Sequence, residues 1–306
     1  MEETQTPPAQ VSVLIVCYNR AAALDRCLKA LEQSEGRETF EIIVVDNGSL
    51  DGSAAVAAEF PAVTLLRLPR NFGLTKALNI AMRTAKAELF LLLNPRTEVQ
   101  AGTVTGLAAP LAEQPDAVAV CPRLVTPEGR PALQLFRLPR PETVAALARA
   151  GAFHPADAPE GAGDLAAVEF AGFAALMVRG YFLKALRYID ERYAQAWADA
   201  EVAVQIRRAG RKMLLAGGVR AVWHQEDDLR PTMPADALAL LAADWALGAA
   251  TFAGKHFGFA AGLKVRLATL AAWALAIFRF REVGFSLRRF IGLLSGRKID
   301  GTQTSM

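Results

Sequence analysis

The run Leu89-Phe90-Leu91-Leu92-Leu93, closed at once by Asn94-Pro95, constrains this chain more than any other stretch. Successive strand side chains point to opposite faces, so a run with no polar residue cannot line a sheet with one wet face. Such a strand is buried on both sides, the habit of a central parallel strand covered by helices. Proline ends it, having no N–H for the ladder. Open α/β sheets place their ligands at the carboxyl ends of such strands, and the residue delivered there is Arg96, with Glu98 close behind.

Apolar runs alternate with helical patterns on either side of this strand. Strands are expected at 11–17, 41–46 and 63–67 as well as 89–93, with helices at about 22–33, 52–58 and 74–86. A helix near 101–113 and a strand at 117–121 follow. This βαβα rhythm predicts an α/β fold with a doubly wound, mainly parallel sheet. Pro122–Pro141 reads as an excursion with room for a small hairpin, and 151–166, rich in Gly, Pro and Ala, as a loop over the site. Val168–Arg179 reads as one apolar strand leading into a helix from Gly180. Another helix starts near Asp199 and stops at Gly210, as a C-terminal glycine would stop it. Two short strands, Met213–Ala216 and Val219–Trp223, place His224 at the end of the second, and 236–295 is helical and strongly apolar. The expected division is a frayed tail at 1–10, an α/β domain at 11–235 and a basic, apolar helical extension at 236–306.

A hydrophobic fraction of 53% in 306 residues excludes a disordered chain and allows a full α/β core. Cys17, Cys27 and Cys121 lack metal-ligand spacing, and their odd number argues against a disulfide framework, which fits a reducing cytoplasm. The acidic, Pro-rich start has no signal-peptide pattern. The net charge of +3 conceals an asymmetry: 251–298 holds nine Lys or Arg against Glu282, a net of +8, which with Asp300 leaves −4 for residues 1–250. The basic part has no nucleic-acid reading motif and is too apolar for one, so acidic lipid is its expected partner.

Three segments sit where the sheet would gather them: Val11–Arg20, Ile42–Ser53 with its Asp46-Asn47-Gly48-Ser49-Leu50-Asp51-Gly52 string, and Arg70–Asn79. Together with Leu89–Glu98 they resemble the first half of glycosyltransferase family 2, whose members move a sugar from a nucleotide diphosphate sugar. The likeness runs over roughly residues 11–225 and implies a GT-A type fold, and rhamnosyltransferase-like bacterial members resemble it in particular. It places Tyr18, Asn19, Arg20, Asp46, Asn71, Gly73, Lys76, Asn79 and Asn94 around a UDP or dTDP type donor. Asp46 would accept the imide proton of a pyrimidine, unless it only caps the helix near Asp51. Gly73 and Lys76 open a helix whose amides and dipole favour an anion; the plain alternative for Lys76 is a solvated surface lysine.

The family's strand ending at Asn94-Pro95 normally delivers a metal-holding aspartate, and here Arg96 stands in that place. Guanidinium has no lone pair for a cation, so a Mg2+ or Mn2+ ion, if kept, needs other ligands: Asn94, Glu98 and His224 are the candidates. Arg96 either grips the diphosphate itself, or pairs with an acid such as Asp199 in a chain that has lost activity, or points to solvent. Trp197-Ala198-Asp199 resembles the segment carrying the general base: Asp199 is kept, and Ala198 replaces the acid before it. An N-cap role for Asp199 is the alternative. Gly172 falls in the small-residue turn that lines the acceptor, and Trp197 would stack on a sugar or be buried. His154 and His256 show no partner, and Cys17 is expected to pack.

Leu267–Phe278 is twelve uncharged, mostly apolar residues, short of the ~20 that span a bilayer. A helix in the membrane interface, with Lys255, Lys264, Arg266, Arg279, Arg281, Arg288 and Arg289 towards anionic headgroups, is one reading, and packing on the catalytic domain the other. The leading expectation is an inverting glycosyltransferase with a saccharide or lipid-linked acceptor, peripheral on the inner face of the cytoplasmic membrane, in cell-surface polysaccharide synthesis. The C-terminal helices could join copies into a homo-oligomer. A pseudo-glycosyltransferase acting as a binding or scaffolding subunit is the alternative; a nucleotidyltransferase would need a Gly-rich basic loop near the first strand.

Overall fold

A computed structural model describes residues 10–159, 165–228, 230–278 and 283–296. The first half follows the rhythm: β1 (Val11–Cys17), α1 (Ala21–Glu32), β2 (Phe40–Asp46), α2 (Ser53–Ala58), β3 (Val63–Arg67), α3 (Leu74–Thr84), β4 (Leu89–Leu93), β5 (Thr97–Val99), α4 (Thr103–Glu113) and β6 (Ala117–Val125). Then come β7 (Leu135–Phe136), α5 (Val144–Ala150), β8 (Leu165–Val168), β9 (Phe170–Ala171), β10 (Ala175–Arg179), α6 (Gly180–Ala185), α7 (Ala198–Arg208) and β11 (Lys212–Trp223). Three helices follow: α8 (Ala235–Phe257), α9 (Phe259–Phe278) and α10 (Val283–Ser295).

The main sheet runs β3-β2-β1-β4-β10-β6-β11-β5, with β8 also on β11. Its first four strands are parallel. Register brings their carboxyl ends to one line, Cys17 opposite Asp46 and Ile15 opposite Leu93. Phe90, Leu91, Leu92 and Leu93 are buried, as an unbroken apolar run requires. β10 enters antiparallel between β4 and β6, because the chain returns to the middle of the sheet from the opposite side. Helices cover both faces, giving one buried cluster with α3, α7 and α8 and another with α1 and α4.

The departures from expectation are local. Val168–Arg179 breaks into β8, β9 and β10, and β9 pairs with β7 outside the main sheet. The two short strands at the end are one, β11, with a register shift between Ala216 and Arg220. The excursion after β6 does turn back, through a bridge between Val125 and Pro131. At the end of α7, Gly210 has φ +64°, and the amides of Gly210 and Arg211 donate to the carbonyls of Arg207 and Ile206. The tail at 1–9 and residues 160–164 of the expected loop lie outside the described residues.

The extension departs most. Helix α8 is no appendage: Ala249, Phe252 and Ala253 belong to the core cluster of the α/β unit. Both α8 and α9 are long and apolar enough to cross a membrane by length and composition, so the twelve-residue run understates α9. Most basic residues assigned to headgroups are engaged by the protein itself. Lys255 bonds Asp190 and Glu201, Arg266 caps the Leu293 and Leu294 carbonyls of α10, Arg288 pairs with Asp236, and Arg289 lies over the rings of Trp273 and Phe285. Lys264 stays exposed, and Arg279 and Arg281 lie outside the described residues. Helices α9 and α10 also expose large apolar side chains: Phe259, Leu263, Leu267 and Leu275 on one, Leu287, Ile291 and Leu294 on the other.

Two loops at the carboxyl edge meet without room for a side chain. Gly48 has φ +79°, and a Cβ there would sit 2.5 Å from the Arg70 backbone. Gly48→Ala is expected to cost about 3 kcal/mol in urea unfolding, from strain plus backbone displacement; a loss below about 0.5 kcal/mol would show that the loops part freely.

Candidate active site

The residues after β1, β2 and β4 form one polar edge. Tyr18 follows β1 directly and is half-buried. Asn19, at φ +49°, ties two of the loops: its amide donates to Ser49 Oγ at 3.0 Å, and its Oδ1 accepts from the Leu50 amide at 2.8 Å. The Arg20 amide donates to Ser53 Oγ at 3.1 Å. Asp46 is buried and accepts from the Ser49 amide at 3.1 Å. It therefore shapes its own turn and does not cap α2. The acid at the start of α2 is Asp51, which accepts from the Ser53 amide at 3.0 Å and the Ala21 amide at 2.8 Å. Cys17 packs as expected, burial pushing its thiol up to about 11.

Two expected donor ligands serve the chain's own loops. Asn71 Oδ1 accepts from Asn47 Nδ2 at 2.9 Å and from the Gly73 amide at 2.8 Å. Asn47, which nothing in the motif string sets apart, also receives the Phe72 amide at 2.9 Å. Asn79 is buried and clasps Ile189 through both ends of its amide, at 2.8 and 3.1 Å, with Glu191 taking its other N–H at 3.1 Å. This leaves Asn79 no free donor. The amide cradle expected at α3 is narrower too: the Thr75 amide donates to the Ala194 carbonyl at 3.1 Å, against which Gly73, at φ +83°, also packs. Lys76 remains exposed on the first turn, its ammonium 4.7 Å from the Phe72 ring centroid.

Arg96 neither points to solvent nor meets Asp199. Its Nε donates to the His224 carbonyl at 3.1 Å and its Nη2 to the Gln225 carbonyl at 3.0 Å, with the guanidinium 4.4 Å from the Trp223 ring centroid. Asn94 holds the turn, its Oδ1 accepting from the Arg96 amide at 3.0 Å. Burial lowers the pKa of Arg96, Asp228 opposes that, and the nearby positive charge of Arg20 adds to it. Arg20 is lowered by burial too and donates to the Asp227 carbonyl. Arg26 pairs with the Asp227 carboxylate, and Arg230 with that of Asp228. Two half-buried guanidiniums thus stand together beyond the ends of β1 and β4. The loop after β11 that holds them had no linear signal, since Arg20 and Arg26 lie about two hundred residues upstream.

The candidate metal ligands do not assemble. His224 Nε2 meets Glu98 at 2.8 Å and its Nδ1 meets Glu226 at 2.7 Å. The two ring nitrogens diverge, so these carboxylates lie on opposite sides of the imidazole and cannot share one ion. Glu98 also faces Arg26 at 3.8 Å. Among the described residues no group of three His, Cys, Asp or Glu is arranged to hold a metal. A resident Mg2+ or Mn2+ does not fit this set.

Asp199 is the second residue of α7, after Ala198. The N-cap is Trp197, so the capping alternative fails. Asp199 accepts the Ala200 amide at 2.9 Å, and a Cβ on Gly172 would lie 3.6 Å from its Oδ2, which brings together two residues expected from the sequence as base and acceptor-side turn. Its side chain keeps some access to solvent, yet the protein packed around it penalises the charge. This burial raises its pKa to about 6, only partly offset by backbone amides. Trp197 does not stack on a ligand: it is 1% exposed, within 4.9–5.5 Å of the Phe153, Phe252 and Trp245 ring centroids. His256, for which the sequence suggests no partner, bonds Glu201 at 2.6 Å. His154 is exposed.

Residues 12–153 match the model of the family described as Glycosyl transferase family 2. This stretch, just under half of the chain, is similar to glycosyltransferase family 2. The chain is 36% identical over 86 residues to the uncharacterized glycosyltransferase YfnE of Bacillus subtilis, covering 27% of this chain and 22% of that one. It is 33% identical over 101 residues to an undecaprenyl-phosphate 4-deoxy-4-formamido-L-arabinose transferase of Aeromonas hydrophila, covering 29% of this chain and 31% of that one. The match thus spans less than a third of the length of either relative. The fold is of GT-A type. It is similar to that of a mannosyltransferase of Pyrobaculum calidifontis solved with GDP-Man and Mn2+, at TM-score 0.56 and 17% identity over 96% of this chain and 89% of that one. Asp199 lies beyond the family-model match and within reach of the fold likeness alone.

A carboxylate with a raised pKa destabilises the fold once it ionises. Between the ordinary aspartate value near 4 and about 6 the folded state holds the extra proton, so stability falls as pH rises through that window. Asp199→Asn is therefore expected to be the more stable protein by about 2 kcal/mol at pH 7.5, with the gap closing below about pH 4. Tm against pH for the two proteins checks it; equal Tm at pH 7.5 would contradict a desolvated carboxylate at 199.

Proposed function

We propose that the protein is an inverting glycosyltransferase that moves a sugar from a nucleotide diphosphate sugar, UDP or dTDP type, to a saccharide or lipid-linked acceptor in cell-surface polysaccharide synthesis. The observation that carries this is Asp199, a carboxylate raised towards neutrality and set against Gly172. Asp199 takes the proton of an acceptor hydroxyl as the oxygen attacks the anomeric carbon, and the nucleotide diphosphate leaves from the opposite face, which inverts that carbon. A base so placed contributes about 10² to 10⁴ in rate. At the other end of the donor, Asp46 accepts the imide proton of the pyrimidine.

The leaving diphosphate gains negative charge that must be met by fixed donors. Arg96 and Arg20 supply them. Arg96 is already held by two carbonyls and a tryptophan face, so little reorganisation accompanies the reaction. Charge-assisted bonds from guanidinium to phosphate oxygens are the strong kind. Since Glu98 and Glu226 lie on opposite sides of His224 and no metal cluster forms among the described residues, no step is assigned to a metal.

The exposed apolar stripes of α9 and α10 support a peripheral place on the inner face of the cytoplasmic membrane, where a lipid-linked acceptor would be met. Apolar side chains sunk in the headgroup boundary, and not a row of free arginines, provide the hold.

Two outcomes test these readings. A panel of UDP-, dTDP- and GDP-sugars should yield one donor that is turned over in a chelator, with a rate that rises through about pH 6 as Asp199 ionises; Arg96→Ala should then lower turnover about 10²-fold. Loss of wild-type turnover in chelator sinks the arginine role, and donor binding without turnover favours the pseudoenzyme. In sedimentation with phosphatidylglycerol vesicles, Leu263→Gln with Leu267→Gln should weaken binding about tenfold or more, two exposed leucines being replaced by polar side chains; unchanged binding refutes the membrane face.

A further inference from the structure

Helix α8 holds the chain on both sides of Asp199. Asp244, 4% exposed in an otherwise apolar stretch of helix, accepts the amides of Gln195 and Ala196, each at 3.2 Å. The next residue, Trp197, has φ +74°, a conformation that bulky side chains adopt only when their surroundings impose it. The same helix imposes it. A Cβ on Gly248 would lie 2.6 Å from Trp197 Cδ1, so the indole lies directly on the α8 backbone, flanked by Trp245 and Phe252. Past Asp199, Glu201 receives Lys255 Nζ at 2.8 Å and His256 Nε2 at 2.6 Å, again from α8. Burial opposes the charge on Glu201, yet its bonds from His256, Gln205 and Lys255 outweigh that and hold it down at about 2, so this second tie stays ionised.

We propose that Asp244 is a positioning residue for Asp199: by gathering the amides of Gln195 and Ala196 it sets the turn that launches α7, and with Gly248 it fixes where the Asp199 carboxylate stands. This rests on Asp199 being the base. The helix that reads in the sequence as the start of an appendage then belongs to the catalytic apparatus without touching substrate. A group that holds a reacting residue to within an ångström governs turnover, since displacement of that size costs about 10²-fold.

The test uses the full chain labelled with 13C at aspartate side-chain carboxyls, with Asp199→Asn identifying the Asp199 signal. In Asp244→Ala the Asp199 titration midpoint should move from about 6 towards the ordinary aspartate value near 4, as the loosened turn admits water. With the donor found in the panel above, kcat should fall about tenfold or more while the donor KM stays within about twofold. Asp244→Asn, which keeps an acceptor oxygen, should restore most of both. Gly248→Ala approaches the same turn from the other side, and helix propensity favours it, so it decides the matter if Asp244→Ala does not fold; it too should lower kcat and shift the Asp199 titration. A folded Asp244→Ala or Gly248→Ala with wild-type titration and kcat overturns the proposal. Full turnover by Asp199→Asn would instead reject the base itself, while the titration arm still decides whether α8 positions residue 199.

Discussion

Burial of both faces of the parallel strands β1, β2 and β4 is the constraint on which everything else depends. Apolar runs with no wet face must be covered by helices on both sides, and right-handed crossovers then fix the strand order. Register lines up their carboxyl ends, so that Asn19, Asp46 and Arg96 fall on one edge although they are far apart in the chain. The polar groups at that edge first satisfy each other. Asn47, Asn71, Ser49, Ser53 and Asp51 all bond to loop amides, which is what buried backbone donors require.

Against that neutral scaffold the charges stand out. Arg20 and Arg96 are half-buried neighbours of like sign, an arrangement unfavourable in itself and tolerated here because carbonyls of His224, Gln225 and Asp227 accept their N–H groups. Asp199 is the converse case, a carboxylate whose backbone donors do not offset its burial. The proposed transfer would use both: negative charge growing on a leaving diphosphate would meet the guanidiniums, and the proton of an acceptor would go to the carboxylate. Perturbed groups gather at functional sites for this reason.

Sequence alone determined the alternating elements of the first half, because a period of two or an unbroken apolar run leaves little choice of structure. It marked Gly210 as a helix end, and it carried the motif strings by which residues 12–153 resemble glycosyltransferase family 2. It also marked Arg96 and Asp199 as the residues to watch. Roles were less legible than places. Asn71 and Asn79 carry family-like spacing but turn inwards, since a buried amide is claimed by whichever backbone lies nearest, here Gly73 and Ile189. Trp197 went into the core because the aromatic rings around it come from α8 and from the segment after α5, far away in sequence.

Tertiary structure alone decided what long-range contacts govern. The antiparallel entry of β10 and the splitting of 165–179 depend on which strand edges remain open. The fate of Arg96 depends on a loop 128 positions later. The basic charge of the C-terminal helices looked like one surface, yet Lys255, Arg266, Arg288 and Arg289 each have partners on the protein itself. An apolar helix reads alike whether it meets lipid or protein, because hydrophobic burial is non-directional. Only the fold shows that α8 packs on the chain either side of Asp199 and that α9 and α10 keep several leucines outside.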